Sequence, residues 1–193
     1  MKNYHIILSS NSPRRKELMA GLDLDFEVRV LPGVDESYPD DMPVSKVAEY
    51  ISREKAEAYK KEIKSDELVI TADTVVILGD EVLGKPSDEE DAKRMLRKLS
   101  GNTHHVITGV CLTTSERQHS FSVVTGVTFK SLSEDEIDYY VSKYKPLDKA
   151  GSYGIQEWIG YVGVTSIEGS YFNVMGLPVQ RIYQELQRFK AEE

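Results

Sequence analysis

Apolar positions in this chain come in short alternating runs and in stripes at helical spacing. Ile6, Ile7 and Leu8 make an apolar run that predicts a strand over 4–9. Ser12 as N-cap and Pro13 at the first helical position then open a helix over 12–21. A second alternation over 26–31 ends in a Pro-Gly turn. Residues 43–63 read as one long amphipathic helix with Val44, Val47, Ala48, Ile51 and Ala58 on its inward stripe. Residues 68–78 and 81–84 flank Gly79-Asp80 and predict a hairpin. Ser87 with Glu90 reads as a capping box for a helix carrying Ala92, Met95, Leu96 and Leu99 on one face and stopped at Gly101.

Two β-rich runs, 104–114 and 119–130, follow in hairpin fashion. Ser133 with Glu136 is a second capping box, opening a helix with Ile137, Tyr140 and Val141. Residues 145–160 form a glycine-rich loop and 161–167 a strand. A last helix over 178–190 buries Val179, Ile182, Tyr183, Leu186 and Phe189. The mixture of elements predicts an α/β protein with at least one mixed sheet, and the absence of a clear linker predicts that any two lobes share that sheet.

Composition narrows the function classes. A chain of 193 residues is one large domain or two small lobes. The formal net charge of -8 argues against a general nucleic-acid or membrane binder, although a local basic pocket can still take an anionic substrate. The single cysteine, Cys111, excludes an intrachain disulfide and reads as a buried strand residue. There is no signal-peptide apolar region and no run of about 18 apolar residues, which predicts a cytoplasmic protein.

The segment 9–19, SSNSPRRKELM, carries the first chemistry. Arg14 and Arg15 sit where the helix dipole disfavours cations by about 0.3–1 kcal/mol each. A strand end, small polar residues including Ser10, and a helix N-terminus make an anion site, and guanidinium forks suit phosphate. Asp73 interrupts VITADTVVI and shares a strand face with Val69, Thr71, Val75 and Ile77. An ionised carboxylate there needs a cationic partner or a metal, so Asp73 is either a paired structural residue or a general base or metal ligand. Lys55 falls on the apolar stripe of the 43–63 helix, either snorkelling at its edge or serving the site. Lys85 lies at a strand tip between Gly84 and Pro86. Asp35 and Glu36 are solvated acids or, beside Asp73, part of a carboxylate pair for Mg²⁺ or Mn²⁺. Gln156, exposed in the loop KAGSYGIQEWIG, has an amide able to match the donor and acceptor edges of a base. His104 and His105 alternate on a strand and make no metal pair, and no GxxxxGK[ST], HExxH, CxxC or GxSxG occurs.

Together SSNSPRRKEL, VDE (34–36), EKA (54–56), TADTVV (71–76), LGKP (83–86) and GSYGIQ (151–156) resemble the Maf family of nucleoside triphosphate pyrophosphatases. The motifs spread over most of the chain. The resemblance implies an α/β fold like that of the ITP pyrophosphatases. It implies a long bent mixed sheet with helices, two lobes around a central cleft, and members that are often homodimers. It implies Asp73 as proton acceptor, Arg14, Arg15 and Ser10 on the triphosphate, and Lys55 and Lys85 neutralising charge at the reacting phosphates. Glu36 with Asp73 would hold a divalent metal, and Thr74 and Gln156, with Arg14, match positions tied to substrate choice. GSYGIQ resembles the subgroup acting on dTTP and UTP, which yields a nucleoside monophosphate and pyrophosphate as a house-cleaning activity. The subgroup acting on 7-methyl-GTP has Lys rather than Gln in a differently shaped loop. Ser9 stands where the family usually has Ala. A nucleotide-responsive regulator of septum formation is the rival reading, and it would need no base.

Overall fold

A computed structural model describes residues 4–191. Its strands are β1 (His5–Ser9), β2 (Phe26–Val28), β3 (Glu67–Leu78), β4 (Glu81–Leu83), β5 (Thr103–Thr113), β6 (Gln118–Phe129) and β7 (Val164–Glu168). The helices are α1 (Pro13–Ala20), α2 (Val47–Glu57), α3 (Glu89–Leu99), α4 (Glu134–Tyr144), α5 (Trp158–Gly163), α6 (Tyr171–Met175) and α7 (Val179–Ala191). The strands form one seven-stranded sheet in the order β2-β1-β3-β5-β6-β7, with β4 paired to β3. β1 runs parallel to both β2 and β3, while β4 on β3 and β7 on β6 are antiparallel. The expected mixed α/β sheet is therefore present.

The chain divides into two compact units. The first takes the chain up to Asp73, Thr108–Val123 and everything from Gly176 on; the second takes Thr74–Ile107 and Val124–Met175. In the first unit Ile7, Val69 and Tyr59 pack together with Leu31 and Ile63. Here β5 meets the backbone of α2 at Gly109: a Cβ on that glycine would sit 2.3 Å from the carbonyl of Ala48, closer than any atoms pack. In the second unit the core joins Met95, Leu96 and Leu99 of α3, Ile137, Tyr140 and Val141 of α4, Phe129, Tyr153 and Ile155.

Several boundaries differ from the sequence reading, each for a local reason. The 43–63 segment is a 3₁₀ turn at Val44–Lys46 followed by α2, which stops at Glu57. Ala58 is exposed, and Ala56 and Tyr59 are buried in its place. The Tyr59 hydroxyl draws the chain inward: it donates to the Arg29 carbonyl at 2.7 Å, accepts from the Leu31 N–H at 3.0 Å and lies 2.7 Å from Ser9 Oγ. Helix α3 is capped by Asp88, whose side chain accepts from Asp91 N at 2.8 Å, and not by a Ser87–Glu90 box; Ser87 hydrogen-bonds Asp91 instead. The Ser133–Glu136 box forms as expected. Residues 158–163, expected as loop and strand start, are helical as α5, and the strand begins only at Val164. Tyr183 of α7 is 45% exposed, so it is not part of that helix's inward face.

Candidate active site

In the first unit three of the expected residues meet. Lys55 Nζ, from the last turn of α2, lies 2.8 Å from Asp73 Oδ1 and 2.9 Å from Glu36 Oε1. The Lys55 and Asp73 side chains are 15% and 14% exposed, while Glu36 is 51% exposed. Lys55 does not snorkel to solvent: its stem follows the buried face of α2 and its charge ends on a carboxylate of β3. Asp35, by contrast, turns away from this group. Its carboxylate takes the N–H and hydroxyl of Ser37, and those hydrogen bonds hold it below the usual carboxylate range.

Arg15 flanks the same group. Its Nε donates to the Gly176 carbonyl and its Nη1 to the Ala72 carbonyl, both at 2.8 Å. Burial lowers the guanidinium's pKa from its ordinary value, and the nearby Asp73 carboxylate offsets part of that effect. The expected picture of two arginine forks aimed at one anion therefore needs refinement. Two of Arg15's N–H groups brace the residue before Asp73 and the start of the last segment.

The N-terminus of α1 is built as expected. Ser12 caps it, its side chain accepting from Arg15 N at 3.4 Å, and Pro13 follows. Ser10, only 5% exposed, accepts from Ser12 N at 3.2 Å. Both hydroxyls act as acceptors toward the backbone. No acidic residue stands in the first turn of α1 to neutralise the dipole. Arg14 is half-buried in this turn.

Thr74, Lys85 and Gln156 belong to the second unit. Thr74 is half-buried and Lys85 exposed. The Gly151 N–H donates to the Gly84 carbonyl at 3.1 Å, which fastens the 150–156 loop to the strand tip that carries Lys85. Gly151 has φ +66, and a Cβ there would come within 2.8 Å of Val76. Gln156 is not exposed as expected: it is half-buried, and its Oε1 is enclosed without a hydrogen-bond partner. A buried amide oxygen left unpaired costs about 1–3 kcal/mol.

Tyr59 ties the ends of β1 and β2 together, a structural role that sequence reasoning missed. Its one signal was an aromatic within a run of charges, YKKE. Cys111 is fully buried and burial pushes its thiol up to about 11, as expected of an inert strand residue. Among the described residues no three or more His, Cys, Asp or Glu side chains gather as a metal site. Glu36 and Asp73 both reach the Lys55 ammonium, and their carboxylates are the oxygen donors that a Mg²⁺ or Mn²⁺ ion would need.

Comparison with known proteins decides the family. A family model described as Maf-like protein matches residues 5–189. The chain belongs to the Maf family. A dTTP/UTP pyrophosphatase of Phocaeicola vulgatus is 62% identical over 188 residues, covering 97% of each chain. One from Bacteroides thetaiotaomicron is 60% identical over 188 residues, again covering 97% of each. The solved Ham1 protein of Staphylococcus aureus is a weaker likeness, with a TM-score of 0.49 and 16% identity over 65% of this chain and 71% of that one. The fold of this Maf protein rests on its own strand order and not on that likeness. No helix among its described residues is long and apolar enough to cross a membrane.

Proposed function

We propose that this Maf protein hydrolyses nucleoside triphosphates between the α- and β-phosphates, releasing pyrophosphate and a nucleoside monophosphate, with dTTP and UTP as preferred substrates. The observation that carries the reading is the Lys55–Asp73–Glu36 group beside Arg15. It is a carboxylate on a hydrophobic strand, held by an ammonium, next to the cationic N-terminus of α1. The activity printed for relatives near 60% identity supports the same reading.

In this reading Asp73 accepts the proton of an attacking water. Ser10 and Arg14 donate to the triphosphate. Arg15 contributes positive charge there while bracing Ala72 and Gly176. Lys55 and Lys85 neutralise the charge that develops on the reacting phosphates. Glu36 and Asp73 would hold a divalent metal, which when bound would neutralise phosphate charge. Thr74 and Gln156 face the base. The unpaired Gln156 Oε1 supports that assignment, because it can accept the N3–H of a pyrimidine while the amide N–H donates to O4. A pocket that tolerates thymine's methyl separates dTTP from UTP by only about 1 kcal/mol, so both substrates fit, and modified pyrimidines would fit with them.

The deciding experiment measures pyrophosphate release with Mg²⁺ or Mn²⁺ across dTTP, UTP, CTP, GTP, ATP and 7-methyl-GTP, for the wild type and Asp73→Asn. Selective turnover of dTTP and UTP that the variant loses is the expected result. Turnover centred on 7-methyl-GTP would replace the substrate, and triphosphate binding without turnover would replace the enzyme with a nucleotide sensor.

A further inference from the structure

A buried polar chain runs under the glycine-rich loop of the second unit. Lys149 is only 8% exposed, yet its Nζ lies 3.2 Å from Glu157 Oε1 and 2.8 Å from Asp148 Oδ1. The other Glu157 oxygen accepts a short hydrogen bond from the hydroxyl of Tyr140, a fully buried residue of α4. The same hydroxyl accepts the N–H of Gly154 at 3.0 Å. One phenol thus grips the loop on both sides of Gln156, two residues before it through a backbone N–H and one residue after it through a carboxylate. The fit is close: a Cβ on Gly154 would lie 3.0 Å from Glu157 Cδ and 3.1 Å from Lys149 Cε. The Glu157 N–H returns to the Gly154 carbonyl at 2.9 Å, closing the turn that presents Gln156.

Burying a lysine against a half-buried glutamate is an expensive way to fill space, since apolar side chains of similar volume are commonly as stable or more so. What the ionic chain adds is a fixed geometry. We propose that Tyr140, Glu157 and Lys149 are positioning residues that hold the Gln156 amide in one orientation and thereby set which base is accepted. This rests on the reading of Gln156 as the base-contacting residue. Loss of the Tyr140 hydroxyl frees the Gly154 N–H and one Glu157 oxygen, and Gln156 then samples several orientations, so the preference between bases weakens while chemistry at the phosphates is untouched.

The test uses the full chain and compares kcat/KM for dTTP and CTP in Tyr140→Phe, Glu157→Gln, Lys149→Met and Gln156→Ala. For Tyr140→Phe and Glu157→Gln we expect the dTTP:CTP ratio to fall about tenfold, equivalent to about 1.4 kcal/mol of lost discrimination. KM for dTTP should rise and kcat should stay within about threefold, the pattern of lost ground-state binding. A purely structural role would lower thermal stability and the active fraction for all nucleotides alike and leave the ratio where it was. Should Tyr140→Phe not fold, Glu157→Gln and Lys149→Met carry the decision. A ratio that collapses in Gln156→Ala and survives in the folded positioning variants overturns the proposal. A ratio unchanged in Gln156→Ala overturns the reading of Gln156 itself, and with it any route through that side chain.

Discussion

Lys55 Nζ stands 2.8 Å from Asp73 Oδ1, with Glu36 on its other side at 2.9 Å. The ammonium occupies the point toward which both carboxylates turn, and it repels any second cation there by several kcal/mol before solvent screening. Replacing it by an uncharged side chain of similar length should do two opposite things. Lys55→Met should lower pyrophosphate release on the order of a hundredfold, because charge at the reacting phosphates loses a partner. It should also tighten Mn²⁺ binding to the nucleotide-free protein about tenfold in a calorimetric titration. Unchanged or weaker Mn²⁺ binding would remove Glu36 and Asp73 as the metal-holding pair.

Arg15 braces two carbonyls, Ala72 and Gly176, that are far apart in sequence. A lysine lacks the two separate nitrogens, Nε and Nη1, that reach these carbonyls from one planar fork, so it cannot reproduce both contacts in the same geometry. Arg15→Lys should therefore unfold at lower urea, with a loss of about 1–3 kcal/mol. Its activity should drop further than that loss of folded protein accounts for, since the Ala72 carbonyl immediately precedes Asp73. An unfolding midpoint equal to the wild type's would remove the bracing role.

Gly109 allows β5 to lie against the backbone of α2, where a Cβ would sit 2.3 Å from the Ala48 carbonyl. Gly109→Ala must push α2 away from the sheet. Overpacking of this kind costs about 1–3 kcal/mol, and α2 carries Lys55. The expected outcome is a lower melting temperature together with reduced turnover, read on the soluble fraction. Wild-type stability would mean that the helix yields without cost.

His104 titrates in the opposite sense from a salt-bridged histidine. It is fully buried, packed edge-on against Phe129 and Tyr153, with its Nε2 2.7 Å from the Tyr153 hydroxyl. Burial lowers its pKa from 6.5 to about 4. In the unfolded chain it binds its proton at about pH 6.5, so between those values the unfolded state holds more protons and stability falls as pH falls. The stabilisation is complete above about pH 6.5 and is lost as pH drops toward 4. It amounts at most to about 3 kcal/mol, the free energy of a shift of that size. Urea titrations of wild type and His104→Gln at pH 7 and pH 4.5 should show a smaller pH dependence in the variant. Equal dependence in both would place the acid sensitivity elsewhere.

Much of this molecule is written in local pattern. The strand of Ile6, Ile7 and Leu8, the Ser12 cap with Pro13, the 67–83 hairpin and the Ser133–Glu136 box depend on residues a few positions apart, and each forms where the pattern puts it. The candidate site was legible for a related reason. An aspartate on an apolar strand and a lysine on an apolar helix stripe violate the local preference, and such violations cluster where function needs them. The boundaries that moved are those decided by distant partners. Helix α2 stops early because Tyr59 reaches Arg29 and Leu31, and α3 takes its cap from Asp88 because Ser87 turns to Asp91.

What the sequence determined by itself is thus the mixed α/β class, most of the elements, and the set of residues carrying charge or a donor where local packing would not choose them. What the tertiary structure alone decided is how those residues are used. That Arg15 would hold backbone carbonyls and that Lys55 would be shared by two carboxylates depend on chain segments well separated in sequence. Spacing along one segment records which face a side chain takes, since that follows from the helix and strand repeats. It does not record what arrives on that face, because the partner is brought by the packing of other elements and by the need of every buried polar group to find one.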